Sequence, residues 1–129
     1  MTSDALSKLP TPTDLAVQWA PLTEMDLELV VAIEKQCYSH PWSLGNFKDA
    51  LKAGNWTQGL KTDGAWIGYF VAMSVLDEVH LLNITVAPAF QKQGWAQALL
   101  QYLKLWSLQQ GAQCLWLEVR QSNERAFKL

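Results

Sequence analysis

The sequence predicts an α/β domain built on a mixed sheet. Three observations lead there. Short apolar runs bounded by turn residues recur at 17–20, 55–61, 65–75, 78–86 and 114–119, as strands do. The segments 23–38 and 94–110 carry apolar residues three and four apart, as amphipathic helices do, and a further helix over 43–53 follows Pro41. The two kinds interleave as strand, helix, helix, three strands, helix, strand, with a last helix opening near Ser122.

Each element has a local cause. Residues 1–16 are polar, carry Pro10 and Pro12, and form a flexible arm ahead of a single domain over 17–129. Val17-Gln18-Trp19-Ala20 alternates and stops at Pro21. Thr23 with Asp26 forms a short-armed capping box for a helix whose stripe is Met25, Leu29, Ile33 and Cys37, with Val30 beside it. Pro41 interrupts that pattern, and Ser43 is a good N-cap for the next helix. Thr62-Asp63-Gly64 reads as a hairpin turn between two strands, because Asp-Gly accepts positive φ. Ala96, Leu99, Leu100, Leu103 and Trp106 stripe the longest helix, which Gly111 ends. In the following strand Leu115, Leu117 and Val119 face one way, Trp116 and Glu118 the other. Between 78 and 119 the strand–helix–strand order predicts a parallel crossover.

Composition removes several function classes. The 129 residues hold 10 Lys and Arg against 12 Asp and Glu, a formal charge of −2, which argues against direct nucleic-acid or membrane-surface binding. No apolar run approaches the roughly 20 residues that cross a bilayer, and the N-terminus lacks the apolar core of a secretory signal. Cys37 and Cys114 are too few for a disulfide framework or a zinc site and read as buried thiols of a cytoplasmic protein. Seven tryptophans leave open whether some line a groove.

The segment that carries chemistry runs from Asn83 to Ala96, where a buried strand feeds a short loop and then a long helix. The first N–H groups of such a helix lack internal partners and sit at its positive end, so they can hold a phosphate. Gly94 permits close approach, Ala96 removes a side-chain obstacle, and Lys92 adds charge at the rim. A purely structural glycine explains the loop equally well at this point. The loop is neither a nucleotide P-loop nor a dinucleotide fingerprint, since Gly-Lys-Ser/Thr and Gly-x-Gly-x-x-Gly are both absent.

Gln91-x-x-Gly94-x-Ala96 resembles the acyl-coenzyme A loop of the GNAT N-acetyltransferases. His40-Pro41-Trp42-Ser43 and Leu82-Asn83-Ile84-Thr85-Val86 resemble that family's segment between the first two helices and its cofactor strand. Leu115 to Asn123 (LWLEVRQSN) resembles the fifth-strand signature of its ribosomal-protein-alanine branch, the RimI type. The resemblance covers about residues 17–129.

It implies the GNAT acyl-CoA N-acyltransferase fold, with strands four and five splayed around the pantetheine arm of acetyl-CoA. Ile84, Thr85 and Val86 would bond that arm through their backbones, and one strand amide would polarise the thioester carbonyl. Lys92, Gln93, Gly94, Trp95, Ala96 and Gln97 would hold the pyrophosphate, and Asn123 would bond the cofactor, unless it is a plain helix cap. Glu118 would act as general base; the alternative is an ion pair with Arg120. Trp42 would lie on the peptide-binding side, with core packing as its alternative. The acceptor would be the N-terminal amine, implied to be Ala, of a small-subunit ribosomal protein, attacking directly in a ternary complex. No residue set has metal-ligand spacing.

The family's general-acid Tyr and its final two strands would follow Leu129. Without them the fifth strand is expected to expose an edge, and the chain alone to acetylate poorly and to self-associate unless another chain covers that edge. Two further readings stand beside this one. The chain is a coenzyme A-binding module without turnover, or an acetyltransferase for another amine. His80 as a base, or a cysteine as an acyl-carrying nucleophile, is the weaker chemistry, because no histidine is patterned to activate either thiol.

Overall fold

A computed structural model describes residues 16–118 and 124–128, with the backbone alone at Glu118 and over 124–128. Its centre is a six-stranded sheet in sequence order. The strands are β1 (Gln18–Ala20), β2 (Trp56–Thr62), β3 (Ala65–Val75), β4 (Glu78–Val86), β5 (Cys114–Glu118) and β6 (Glu124–Lys128). The helices are α1 (Leu27–Cys37), α2 (Leu44–Lys52) and α3 (Trp95–Gln109). β1 to β4 form an antiparallel meander, β5 runs parallel to β4 after the α3 crossover, and β6 returns antiparallel to β5.

Local chemistry sets the boundaries. Asp63 and Gly64 both have positive φ (49° and 80°), as the tight turn between twisted strands requires. The Asp26 carboxylate takes the Thr23 N–H and hydroxyl, each at 2.8 Å, ahead of α1. Residues 24–26 form a 3₁₀ turn, so the regular helix begins at Leu27. Ser43 and Asn46 exchange side-chain bonds with each other's backbone N–H (3.1 and 2.9 Å), a reciprocal box that closes the start of α2. Gly111, at φ 78°, ends the α3 segment.

Two apolar layers cover the sheet. On one face α3 contributes Trp95, Ala98, Leu99, Tyr102 and Leu103 to a core with Leu60, Ile67, Phe70, Val79, Leu81 and Leu115. Trp56 and Trp106 stack at 4.0 Å, and Trp19 and Tyr102 at 3.8 Å, which absorbs three tryptophans into packing. On the other face Leu27, Val30, Phe47, Trp66, Tyr69 and Val71 close a second core under α1 and α2.

Several expectations are corrected. The stripe read for α1 is turned: Met25 and Leu29 are exposed (93% and 59%), while Leu27, Val30 and Glu34 are buried. The apolar pattern missed this because the inward face includes a carboxylate. In α3 the buried line is Trp95, Ala98, Leu99, Tyr102 and Leu103, and Ala96 is exposed. The C-terminal stretch is a strand, where the sequence suggested a helix. Five residues nucleate a helix poorly, and pairing Glu124–Lys128 with Cys114–Glu118 satisfies backbone groups that an open edge would leave unpaired. The expected open edge of β5 is therefore occupied by β6. The expected N-terminal arm lies outside the described residues except for Ala16, whose carbonyl accepts from the Thr62 hydroxyl at 2.8 Å.

Candidate active site

Among the described residues, β4 pairs with β5 from Glu78↔Cys114 to Leu81↔Leu117 and no further. Beyond Leu81, β4 continues to Val86 with β3 as its neighbour, while β5 carries on beside β6. The break coincides with a bulge: Ala72 pairs with Leu81 and Val71 with Asn83, so Leu82 is an extra residue in β4. The bulge reverses the side-chain alternation. Val79 and Leu81 point into the α3 core, whereas after the bulge Ile84 and Val86 lie against that core and Asn83 and Thr85 turn towards α1.

Backbone direction follows from the same register. The Ala87 N–H bonds the Ile67 carbonyl at 2.8 Å, so with antiparallel alternation Thr85 also faces β3 and the peptide groups of Ile84 and Val86 face the open side. Of Ile84, Thr85 and Val86, the three residues expected to bond the arm through their backbones, Ile84 and Val86 turn their peptide groups away from β3. Their carbonyls are already met by side chains. The Tyr38 hydroxyl donates to the Ile84 carbonyl (2.9 Å) and the Gln91 amide to the Val86 carbonyl (3.0 Å), with the Cys37 thiol 3.5 Å from the latter.

The loop after β4 leads to a helix start of unusual kind. A 3₁₀ turn, Pro88–Phe90, is followed by Lys92 at φ 62° and Gly94 at φ 88°. Gly94 is the N-cap of α3; it supplies no side-chain cap, and the first turn contains no acidic residue. The leading amides of a 15-residue helix therefore stand open at its positive end. Lys92, Gln93, Ala96 and Gln97 are exposed around them, whereas the Trp95 ring is buried in the core, so Trp95 can offer a ligand only its backbone. The Gln93 side chain ties the loop together: its amide donates to the Ala89 carbonyl (3.3 Å) and its oxygen accepts from the Trp95 indole (3.3 Å). Bare amides beside an exposed lysine, next to outward peptide groups on β4, fit a pyrophosphate followed by an amide-bearing arm.

Behind β4 lies a buried polar cluster that the sequence reading missed. Glu34 is fully buried on α1. Its Oε1 accepts the Trp42 N–H at 3.0 Å. Its Oε2 lies 2.7 Å from the Tyr69 hydroxyl, 2.9 Å from the Thr85 hydroxyl and 3.2 Å from the Asn83 amide. Burial first, and the adjacent Glu34 charge second, push the Tyr69 phenol far above its ordinary range, so it remains a donor. The available signal was the pair Asn83 and Thr85, polar and two apart in an otherwise apolar strand, opposite the Val30–Glu34–Tyr38 line of α1.

The remaining sequence candidates fall as follows. Glu118 is the first β5 residue past the β4 pairing, at the mouth of the split, with its backbone opposite Glu124. Asn123 and Arg120 lie outside the described residues. Trp42 is half-buried with its ring 5.1 Å from Phe47, so core packing holds at least part of it. His80 bonds Glu78 at 3.1 Å and stacks on Trp116 at 6.1 Å, the pattern of a satisfied strand histidine. Cys37 and Cys114 are both half-buried. Among the described residues no group of three or more His, Cys, Asp and Glu is placed to hold a metal ion, and no helix is long and apolar enough to cross a membrane.

A mixed sheet split beside an uncapped helix start defines a fold for gripping an acylated phosphate-bearing carrier. Residues 27–129 match the model of the acetyltransferase (GNAT) family, and the chain belongs to it. It is 36% identical over 102 residues to the [ribosomal protein bS18]-alanine N-acetyltransferase of Haemophilus influenzae, covering 79% of this chain and 70% of that one. The crystal structure of the ribosomal-protein-S18-alanine N-acetyltransferase from Escherichia coli superposes with a TM-score of 0.76 at 33% identity, covering 84% of this chain and 70% of that one. The PaiA N-acetyltransferase of Thermoplasma acidophilum, solved with coenzyme A, shares the fold at a TM-score of 0.70 and 16% identity, covering 84% of this chain and 83% of that one.

Proposed function

We propose that this acetyltransferase moves the acetyl group of acetyl-CoA onto the N-terminal alanine amine of ribosomal protein bS18, by direct attack in a ternary complex. The reading rests on the 36% identity to an enzyme of that specificity over 70% of its length. A ribosomal-protein acceptor sets the reaction in the cytoplasm. The amine attacks the thioester carbonyl, a C–N bond forms, the C–S bond breaks, and the thiolate departs.

This chain's own groups supply position and proton transfer. The outward peptide groups of Ile84 and Val86 align the pantetheine arm, and amides from Lys92 to Gln97 seat the pyrophosphate. Asn123 completes the cofactor contacts. The loop bearing Trp42 receives the acceptor peptide.

Glu118 is the proposed base. A free α-amino group has a pKa of about 7.7–8.0, so near neutrality most of it is protonated and cannot attack. A carboxylate at the mouth of the split removes that proton directly or through one water. Glu118→Gln is expected to hold acetyl-CoA affinity within about twofold and to lower kcat by roughly a hundredfold or more at pH 7. The deficit should shrink as pH rises past the amine's own pKa. Steady-state kinetics with an Ala-initiated bS18 peptide, taken from pH 6 to 9, decides it: an unchanged rate removes Glu118 from the mechanism. Acetyl-CoA binding by the unsubstituted chain without peptide turnover would favour a binding module instead.

A further inference from the structure

The buried cluster behind β4 reaches the site from two sides. The Glu34 Oε1 holds the backbone N–H of Trp42, in the loop between α1 and α2. Its Oε2 is held by β3 through Tyr69 and by the post-bulge half of β4 through Asn83 and Thr85. A second strut runs parallel to it: the Tyr38 hydroxyl, at the end of α1, bonds the Ile84 carbonyl and lies 3.1 Å from the Thr85 hydroxyl. A carboxylate taken out of water is tolerated only when its lone pairs are filled, and charge-assisted bonds to it are roughly twice as strong as neutral ones. A fully buried Glu in a small apolar core is thus a costly choice for packing alone, and among the described residues its bonds join the Trp42 loop to β3 and to the post-bulge half of β4.

We infer that Glu34 is a positioning residue that fixes the Trp42 loop to the cofactor strand, holding the loop in the place where it receives the acceptor peptide. The inference rests on the proposed reading of the Trp42 loop as the acceptor side. Glu34 touches neither substrate in this scheme. Its effect passes through the Trp42 amide on one side and the bulged end of β4 on the other.

Glu34→Gln separates these two attachments. A carboxamide has one acceptor oxygen. The Tyr69 hydroxyl and the Asn83 amide keep it at the Oε2 position, and the –NH₂ is left facing the Trp42 N–H, donor against donor. The loop loses its tether while the sheet side is largely kept. Tyr69→Phe is the converse: it removes a donor from Oε2 and leaves the Trp42 bond.

Two measurements on the full chain test this. In amide hydrogen exchange the Trp42 N–H should be protected in the unsubstituted protein, about tenfold or more less protected in Glu34→Gln, and unchanged relative to its neighbours in Tyr69→Phe. In steady-state kinetics Glu34→Gln should raise the KM of the Ala-initiated peptide about tenfold, with kcat within about threefold and the KM of acetyl-CoA within about twofold. Tyr69→Phe should lower the Tm without moving the peptide KM. Equal changes in both variants, or an unaltered peptide KM in Glu34→Gln, overturn the inference. So does a Trp42 amide that exchanges at open-loop rates in the unsubstituted protein, a check that needs no variant to fold. Failure of the unsubstituted chain to acetylate the peptide would overturn the substrate reading instead, and the exchange comparison would still decide whether Glu34 holds the loop.

Discussion

Helices α2 and α3 begin by opposite chemistry. At α2, Ser43 and Asn46 fill each other's backbone donors, and the helix start is closed to anything else. At α3, a left-handed Gly94 leads in, no side chain caps the amides, and the first turn holds no acid. The second arrangement gives up stability that a Ser or Asp cap would have added, a few tenths of a kcal/mol relative to the glycine. That omission occurs at the helix beside the sheet split and not at the helix that packs away from it. A helix start left bare is informative when a neighbour in the same molecule shows how readily this chain builds a cap.

Substitutions can break the contrast. Gly94→Ala places a Cβ at φ 88°, which costs about 1–2 kcal/mol in stability and crowds the open amides. Calorimetry should show acetyl-CoA affinity falling tenfold or more, the largest effect expected here. Gln97→Glu sharpens it further, because its two consequences have opposite sign. A carboxylate in the first turn favours the helix dipole, raising stability by about 0.3–1 kcal/mol, yet it repels the pyrophosphate. The Tm should rise while acetyl-CoA affinity falls several-fold; a parallel change in both would contradict anion binding at this end. Ser43→Ala acts only on the closed start. Stability should drop by about 1 kcal/mol in a denaturant titration, with acetyl-CoA affinity unchanged.

The bulge at Leu82 explains why so much of the site was readable and part of it was not. Strand and helix periods located β4, α3 and the loop between them, and the Gln91–Gly94–Ala96 spacing marked the anion end. Those features are local: they depend on residues a few positions apart. The extra residue in β4 is a relation between two strands, Ala72 with Leu81 and Val71 with Asn83, and no pattern within either strand displays it. Its consequence, that the peptide groups of Ile84 and Val86 turn away from β3 while that of Thr85 turns towards it, is not legible in the strand pattern. Glu34 was missed for a related reason. Helical periodicity sorts residues by polarity, so a carboxylate is assigned to water unless its donors are known, and these come from sequence positions 42, 69, 83 and 85.

The sequence by itself determined the order of elements as far as β5, the hairpin at Asp63-Gly64, the Thr23–Asp26 turn ahead of α1, the cap of α2, and the bare opening of α3, because each is settled by short-range backbone chemistry. Tertiary structure alone decided which face of α1 is buried, where β4 parts from β5, and that Glu124–Lys128 pair as a strand. Those outcomes depend on which unpaired backbone or buried polar groups meet across the sheet, and that meeting is defined only once the chain has closed on itself.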